Sequence, residues 1–232
     1  MTDARRAVPS AAGTATDLGV DRGDRSADAD AAAAGLWVGT LQALADYIAH
    51  DLRNALNGVA VNLEVVRGRS ARGAEASAIA PFAATAASQF EVASGATEAL
   101  LAFARPEPGD PDVAGITHRL ARLIGLRSGS LLTVTDRTDG NARTSAPGDV
   151  VRAVVARSVL NALGTTDTIG CETTVAGDIF LRVTGASPVP PTPEPELVAV
   201  SAGYGVRFAS QGNILEVRFP SAGARVTPPV SE

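Results

Sequence analysis

A single periodic run constrains this chain more than any other feature of its sequence. From Leu41 to Val66, alanine and large apolar residues recur at steps of three or four positions, and no proline interrupts residues 36–66. This spacing places the apolar side chains on one face of an α-helix. About thirty residues of helix extend roughly 45 Å, so the helix needs a partner along its length. The repeating positions are Leu41, Leu44, Ile48, Leu52, Ala55, Val59, Leu63 and Val66.

A second helix is predicted after a turn at residues 68–73. Its apolar stripe runs from Phe82 to Ala104, and Pro81 is tolerated because it is expected in the first turn of the helix. Two long helices joined by a short loop form an antiparallel hairpin. A lone hairpin leaves part of each stripe in water, so the sequence predicts a homodimer in which two hairpins form a four-helix bundle.

The proline-rich segment 105–111 separates the hairpin from a second unit of mixed structure. The predicted elements are helices near residues 113–124 and 150–163 and strands at 131–135, 171–175, 179–183 and 214–219, with a hairpin turn at Gly177 and Asp178. The proline-dense stretch 187–195 is predicted to be a loop. The expected fold class is therefore α+β: a long antiparallel helical hairpin followed by a small α/β sandwich.

These patterns divide the chain into four parts. Residues 1–33 carry almost no large apolar side chains, so they are predicted to be a disordered leader that cannot offset the entropy of ordering. Residues 34–106 form the helical hairpin and residues 107–222 the α/β domain. Residues 223–232 are predicted to be a disordered tail.

Charge and composition exclude several classes of function. The chain has a net charge of -5, and all 20 basic residues are arginine, which argues against nucleic acid as a partner and excludes lysine-based chemistry. Cys171 is the single cysteine, and no C-x-x-C or His-rich cluster offers a metal site. The sequence has neither the apolar core of a signal peptide nor a membrane-length apolar stretch. We therefore expect a cytoplasmic protein with no membrane partner.

The chain has two histidines, and His50 lies on the long predicted helix. Successive helical residues are about 100° apart, so His50 falls some 200° from both Ile48 and Leu52 on the core stripe. The side chain is therefore expected to point outward, either as a solvated surface residue or as a reactive one. The same outer face is predicted to hold Asp46, Tyr47, Arg53, Asn54, Asn57 and Gly58. The other histidine, His118, is expected to be a solvated helix residue.

The neighbours of His50 favour a reactive role. A neutral imidazole is a nucleophile toward phosphorus, and Asp51 could accept the Nδ1 proton, fix the tautomer and make Nε2 more nucleophilic. Asn54, four residues on, could orient a phosphoryl oxygen or a water. Gly58, two turns on, is expected to remove side-chain bulk where a partner docks.

Three segments of the chain resemble motifs of one family. His50-Asp-Leu-Arg-Asn54 resembles the H-box of two-component histidine kinases, except that Ala55 follows where the family often has proline. Leu100-Leu-Ala-Phe-Ala-Arg-Pro106 is similar to the end of the family's second bundle helix. Val159-Leu-Asn-Ala-Leu163 resembles part of the N-box of its ATP-binding domain. The resemblance covers about residues 36–219.

This resemblance implies a role for each matching residue. His50 would be the phosphoacceptor, Asp51 its acid/base neighbour, and Asn54 a residue that takes part in dephosphorylation. Asn161 would correspond to a magnesium-binding asparagine of the nucleotide site. The α/β domain would have the fold of a histidine-kinase ATP-binding domain.

Other elements of the nucleotide site are altered. The family's adenine-binding carboxylate is missing, since Thr184-Gly-Ala-Ser-Pro188 follows the predicted strand. Arg157 stands where the first N-box asparagine is expected, and a guanidinium cannot bind Mg²⁺. Gly203-Tyr-Gly-Val206 is only weakly similar to the second glycine box. A phosphoacceptor hairpin joined to an altered kinase domain resembles the dimeric histidine phosphotransferases of phosphorelays.

The resemblance thus implies a histidine phosphotransfer protein that exchanges a phosphoryl group at His50 with the receiver domains of response regulators. No cofactor of its own is expected, because the receiver would supply Mg²⁺. Two alternatives stay open. One is an ATP-dependent sensor histidine kinase with a divergent nucleotide pocket, and the other is a non-catalytic dimeric scaffold that binds receivers.

Overall fold

The structure, a computed structural model, describes residues 22–106, 108–126, 131–163, 168–185 and 192–223, with side chains described from residue 27 onward. In chain order the elements are α1 (Arg22–Ala71), α2 (Ala76–Ala104), α3 (Val113–Ile124), β1 (Leu131–Arg137), α4 (Gly148–Leu163), β2 (Thr168–Ala176), β3 (Asp178–Gly185), α5 (Pro195–Ala202), β4 (Arg207–Gln211) and β5 (Ile214–Phe219). The predicted α+β fold, with its long helical hairpin, is confirmed.

Helices α1 and α2 form the antiparallel hairpin. Arg69 donates a hydrogen bond of 2.8 Å to the carbonyl of Ala78 beside the turn, and its guanidinium lies 4.4 Å from the ring centre of Phe82. Pro81 lies in the second turn of α2 and not in the first, because the helix begins at Ala76. The carbonyl of Ser77 consequently receives no helical N–H from residue 81, and it can bond water because Ser77 is exposed.

The long helix begins at Arg22, well before the predicted boundary at residue 34. The disordered leader predicted for residues 22–33 from their lack of large apolar side chains is therefore wrong. Alanine is the best helix former, and the buried Ala33 packs with Leu36 into the core. Residues 1–21 and 224–232 lie outside the described residues, so the disorder predicted there stays a prediction.

The sheet has the order β1-β2-β3-β5-β4, in which β1 is parallel to β2 and the other neighbours are antiparallel. The predicted turn at Gly177 joins β2 to β3, and its φ of 79° suits glycine. Alternate residues face α3 and α4, as Ile179, Leu181 and Val183 of β3 illustrate. Sequence patterns missed α5 and β4, which are eight and five residues long.

One hydrophobic core runs across the predicted domain boundary near residue 106. Leu44 of α1 and Phe103 of α2 are fully buried in the same cluster as α3, α4 and the inner face of the sheet. The Trp37 ring lies 6.0 Å from the Phe103 ring, and the guanidinium of Arg152 lies 4.9 Å from the Trp37 ring centre. The first part of α1 and the end of α2 are therefore built into the α/β domain.

The single cysteine is predicted to be unreactive in the folded protein. Cys171 lies on the buried face of β2, and burial raises the pKa of its thiol from 9.0 to about 12. At pH 8 the folded protein should hold roughly a thousandth of the thiolate of an ordinary cysteine. We expect an aromatic disulfide reagent to modify the protein rapidly in urea and at least 100-fold more slowly without it. Equal rates would contradict the burial of this thiol.

Candidate functional site

His50 projects from α1 into solvent, as the helical phase predicts. Its side chain is 75% exposed, whereas Ile48, on the core stripe, is buried. Helix α1 continues without interruption through Ala55, the position where the resemblance would place proline. The ring is therefore displayed on a regular helix that is fixed by its core face.

Two side chains contact the imidazole at Nδ1. Oδ1 of Asp51 lies 3.4 Å from Nδ1, and Nδ2 of Asn54 lies 3.1 Å from Nδ1 and 3.4 Å from Nε2. When Nδ1 carries the proton, the proton can point to the carboxylate and the lone pair of Nε2 is available for attack. When Nδ1 accepts from Asn54 instead, Nε2 carries the proton and cannot attack. The carboxylate favours the first arrangement, because it also stabilises the positive charge that the ring acquires on reacting.

Two residues assigned to the outer face of α1 lie elsewhere. Tyr47 is half-buried and packs against the core that the hairpin shares with the α/β domain. Gly58 faces α2, where a β-carbon would lie 2.3 Å from the side chain of Gln89. The absence of a side chain at Gly58 therefore makes room for Gln89 and not for a docking partner. The helical phase gave the direction of each side chain approximately but could not show which side the second helix and the α/β domain occupy.

The α/β domain reaches the flank of the histidine. Asp51 lines a small pocket with Val92, Ala96 and Leu126, and Leu126 follows the end of α3. The same leucine borders a cavity of about 310 Å³ between α2 and α3, which two arginines and one glutamate also line. The residues around that cavity are Gly95, Glu98, Ala99, Ala102, Arg119, Arg122 and Leu126. Nothing in the local sequence signals this contact, because α1 and α3 are far apart in the chain.

The residues that the resemblance assigns to a nucleotide site are engaged with the chain itself. Asn161 of α4 donates a hydrogen bond to the carbonyl of Thr192. Arg157 donates to both carboxylate oxygens of Glu194, at 2.9 and 3.2 Å, and to the hydroxyl of Thr40 at 3.2 Å. Asn161 lies well away from His50 along the chain, and no contact between them is seen among the described residues. Sequence reasoning missed Glu194 and Thr40 as partners of this region.

Neither a metal site nor a membrane-spanning helix is found in the described ranges, from residue 22 to residue 223 with their gaps. No group of three His, Cys, Asp or Glu side chains there could hold a metal ion. None of the helices described there is both long and apolar enough to cross a bilayer.

No protein-family model and no curated protein sequence matches this chain. Several solved structures resemble it. A blue-light activated histidine kinase of Erythrobacter litoralis has a TM-score of 0.41 and 14% identity over 70% of this chain, which spans only 63% of that protein. A bacterial phosphotransferase has a TM-score of 0.37 and 13% identity, covering 78% of this chain and 95% of its own.

The histidine kinase AdeS of Acinetobacter baumannii has a TM-score of 0.38 and 10% identity, covering 75% of this chain and 98% of its own. By their names, the three structures are two histidine kinases and a phosphotransferase. At these scores the likeness concerns the coarse arrangement of helices and sheet, and the chemistry of the site depends on the residues of this chain.

Proposed function

We propose that this chain is a histidine phosphotransfer protein of a two-component phosphorelay. It accepts a phosphoryl group at His50 from the receiver domain of one response regulator and donates it to another. The observation that carries the proposal is the display of His50, whose ring is 75% exposed while Asp51 and Asn54 contact its Nδ1. Asn54 also lies 3.4 Å from Nε2, and because the His50 side chain is exposed, Nε2 can exchange this contact for one with a large partner.

In the accepting step, the lone pair of Nε2 attacks the phosphorus of an aspartyl phosphate on the receiver. The P–N bond forms as the P–O bond breaks, and the receiver's carboxylate leaves with the electron pair. The ring then carries a positive charge with its proton on Nδ1, which Asp51 stabilises. Donation is the reverse reaction. The receiver supplies Mg²⁺ for the phosphoryl oxygens, so this chain has to present a positioned imidazole.

The state of the α/β domain supports a carrier rather than an ATP-dependent kinase. The two α4 positions that the resemblance connects with magnesium, Arg157 and Asn161, bind Glu194 and Thr192 of the same chain. A nucleotide at this place would have to displace both contacts. We therefore propose that the protein works without a cofactor of its own.

The test uses the full chain and a set of purified receiver domains labelled with radioactive acetyl phosphate. Transfer of the label to this protein, in a form that acid removes and alkali does not, is the expected result. A second sample receives labelled ATP and Mg²⁺ without any receiver, and self-labelling there would show an autokinase. Receiver binding with no label in either sample would show a scaffold.

Replacing Asp51 by asparagine is expected to slow the transfer by about 100-fold. The amide keeps the shape of the carboxylate but cannot stabilise the charge that develops on the ring. Binding of the unphosphorylated receiver should stay within about twofold of the unmodified protein, because the charge matters mainly in the reacting state. Rapid-quench kinetics measures the first quantity and calorimetry the second. An unchanged transfer rate would contradict the role given to Asp51.

We also propose that two copies of the hairpin pair into a four-helix bundle. Leu52 and Leu56 of α1 and Phe90 of α2 line an open groove of about 350 Å³, and Phe90 is 58% exposed. No element among the described residues of the chain covers this face. The other large apolar residues exposed on the hairpin lie outside this groove: Val38, Val61, Leu63, Val92 and Leu101.

Phe90→Asp is expected to convert the dimer to a monomer. A two-fold interface contains the residue twice, so the change should weaken the dimer by at least about 1,000-fold. Light scattering should give the mass of one chain, 23.5 kDa, instead of twice that value. Val61→Asp is the matched control, because Val61 is 64% exposed but does not line the groove. A dimeric Phe90→Asp protein would place the interface elsewhere.

A further inference from the structure

One side chain of the α/β domain joins three separate parts of the chain. Arg157 lies on α4, and its Nε donates to the hydroxyl of Thr40 on α1 at 3.2 Å. Its Nη1 donates to Glu194 at 2.9 Å, immediately before α5. We call these three residues, Thr40, Arg157 and Glu194, the Arg157 latch.

The geometry of the latch depends on a guanidinium. Nε donates to Thr40 and Nη1 to Glu194, and because both nitrogens belong to one rigid planar group, they fix the two partners relative to each other, which the flexible point charge of lysine does not do. The group also lies close to the backbone of α1, because a β-carbon at Gly39 would be 3.0 Å from Nη2 of Arg157. Thr40 is fully buried and donates its own proton to the carbonyl of Leu36 at 2.7 Å. The hydroxyl oxygen is therefore held where Arg157 can reach it.

The latch is one of several contacts between α1 and the α/β domain. Near the start of α1, the hydroxyl of Tyr204 donates to the carbonyl of Ala29 at 3.1 Å, while Asp30 lies 3.4 Å away. In the middle, Trp37 lies under the guanidinium of Arg152. Of these three contacts, that of Arg157 lies nearest to His50 along the helix. Among the three contacts, that of Arg157 alone also binds the segment before α5.

We propose that the Arg157 latch fixes the orientation of the α/β domain on the phosphoacceptor helix. While it is closed, α4, α5 and α1 move as one body, and the domain cannot swing toward or away from His50. The latch must open before such a movement. This inference goes beyond the proposed phosphotransfer, because it concerns the placement of the domain and does not require His50 to react.

Trp37 provides a direct reporter of this contact. It is the only tryptophan of the chain, it is half-buried, and it lies one helical turn before Thr40. In Arg157→Ala we expect a red-shifted emission and a roughly twofold larger quenching constant with acrylamide, as expected for a local opening. The far-ultraviolet circular dichroism should be unchanged at the same temperature. The measurement uses the full chain.

Arg137→Ala is the matched control. Arg137 forms an ion pair of 2.9 Å with Glu172 on the outer face of the sheet, away from α1. Removing this arginine should leave the emission and quenching of Trp37 unchanged. If both arginine variants shift the emission equally, the effect is general and the latch is rejected.

Two further variants open one side of the latch each and keep the test decisive if Arg157→Ala fails to fold. Thr40→Val removes the acceptor on α1 at nearly constant volume, and Glu194→Gln removes the charge before α5. Each is expected to shift the emission of Trp37 in the same direction as Arg157→Ala, by a smaller amount. Unchanged emission and quenching in both would overturn the proposal. Because no phosphoryl transfer is measured, this result is independent of the role of His50.

Discussion

His50→Gln is expected to abolish phosphoryl transfer from every receiver that labels the unmodified protein. Glutamine keeps the length and polarity of the side chain but offers no ring nitrogen with a free lone pair to form a P–N bond. The variant should fold normally, since the native side chain is 75% exposed and contacts only Asp51 and Asn54 among the described interactions of its ring. Label on the variant should fall below detection, a loss of at least about 1,000-fold.

His118→Gln is the matched control, because His118 is the other histidine and is exposed on α3. It should accept the phosphoryl group at the rate of the unmodified protein. Acid-labile label that persists in His50→Gln and disappears in His118→Gln would move the phosphoacceptor to α3. Label that persists in both single variants would show that His50 is not the sole phosphoacceptor.

Phe103→Ala is expected to have the largest effect on stability, a loss of about 3–5 kcal/mol in the free energy of unfolding. The Phe103 side chain is fully buried at the end of α2, and its ring lies 6.0 Å from that of Trp37. Removing it leaves a cavity at the contact between the hairpin and the α/β domain, where the surrounding helices are too constrained to collapse. Urea unfolding followed by circular dichroism measures the change.

Phe180→Ala controls for the loss of a phenyl ring as such. Phe180 is half-buried on β3, on the face of the sheet opposite the core, so its removal should cost no more than about half as much. Both variants are compared at one chain concentration, because the proposed dimerisation would add to the measured stability. A loss below about 1 kcal/mol in Phe103→Ala would show that the hairpin end is not packed into the domain.

The hairpin could be predicted from the sequence because its signal is local and repeated. Eight apolar positions at helical spacing specify one face of α1, and the same phase correctly places His50 opposite that face. The start of the helix was missed, because the alanine-rich segment 22–33 has no large apolar residue and its order is explained by helix propensity and by the contact with Tyr204. An apolar repeat reveals a helix only where large apolar residues recur, and this segment has none.

The contacts of the α/β domain could not be predicted, because they join residues distant in the chain. Arg157 binds Thr40 across 117 positions and Glu194 across 37. A sequence pattern can show that arginine replaces asparagine at this position, but not what the guanidinium binds instead. Helix α5 was missed for a different reason: Pro195, assigned to the loop, occupies the first turn of a helix of only eight residues.

The continuity of α1 sets a scale for any partner of His50. His50 lies ten positions after Thr40 on one unbroken helix. The imidazole is therefore about 15 Å along the helix axis from the place where Arg157 binds Thr40. A folded domain of about 100 residues has a radius of gyration of about 13 Å. A partner domain of that size bound at the ring would also extend to the α/β domain. The distance along α1 therefore limits which partner shapes can reach His50.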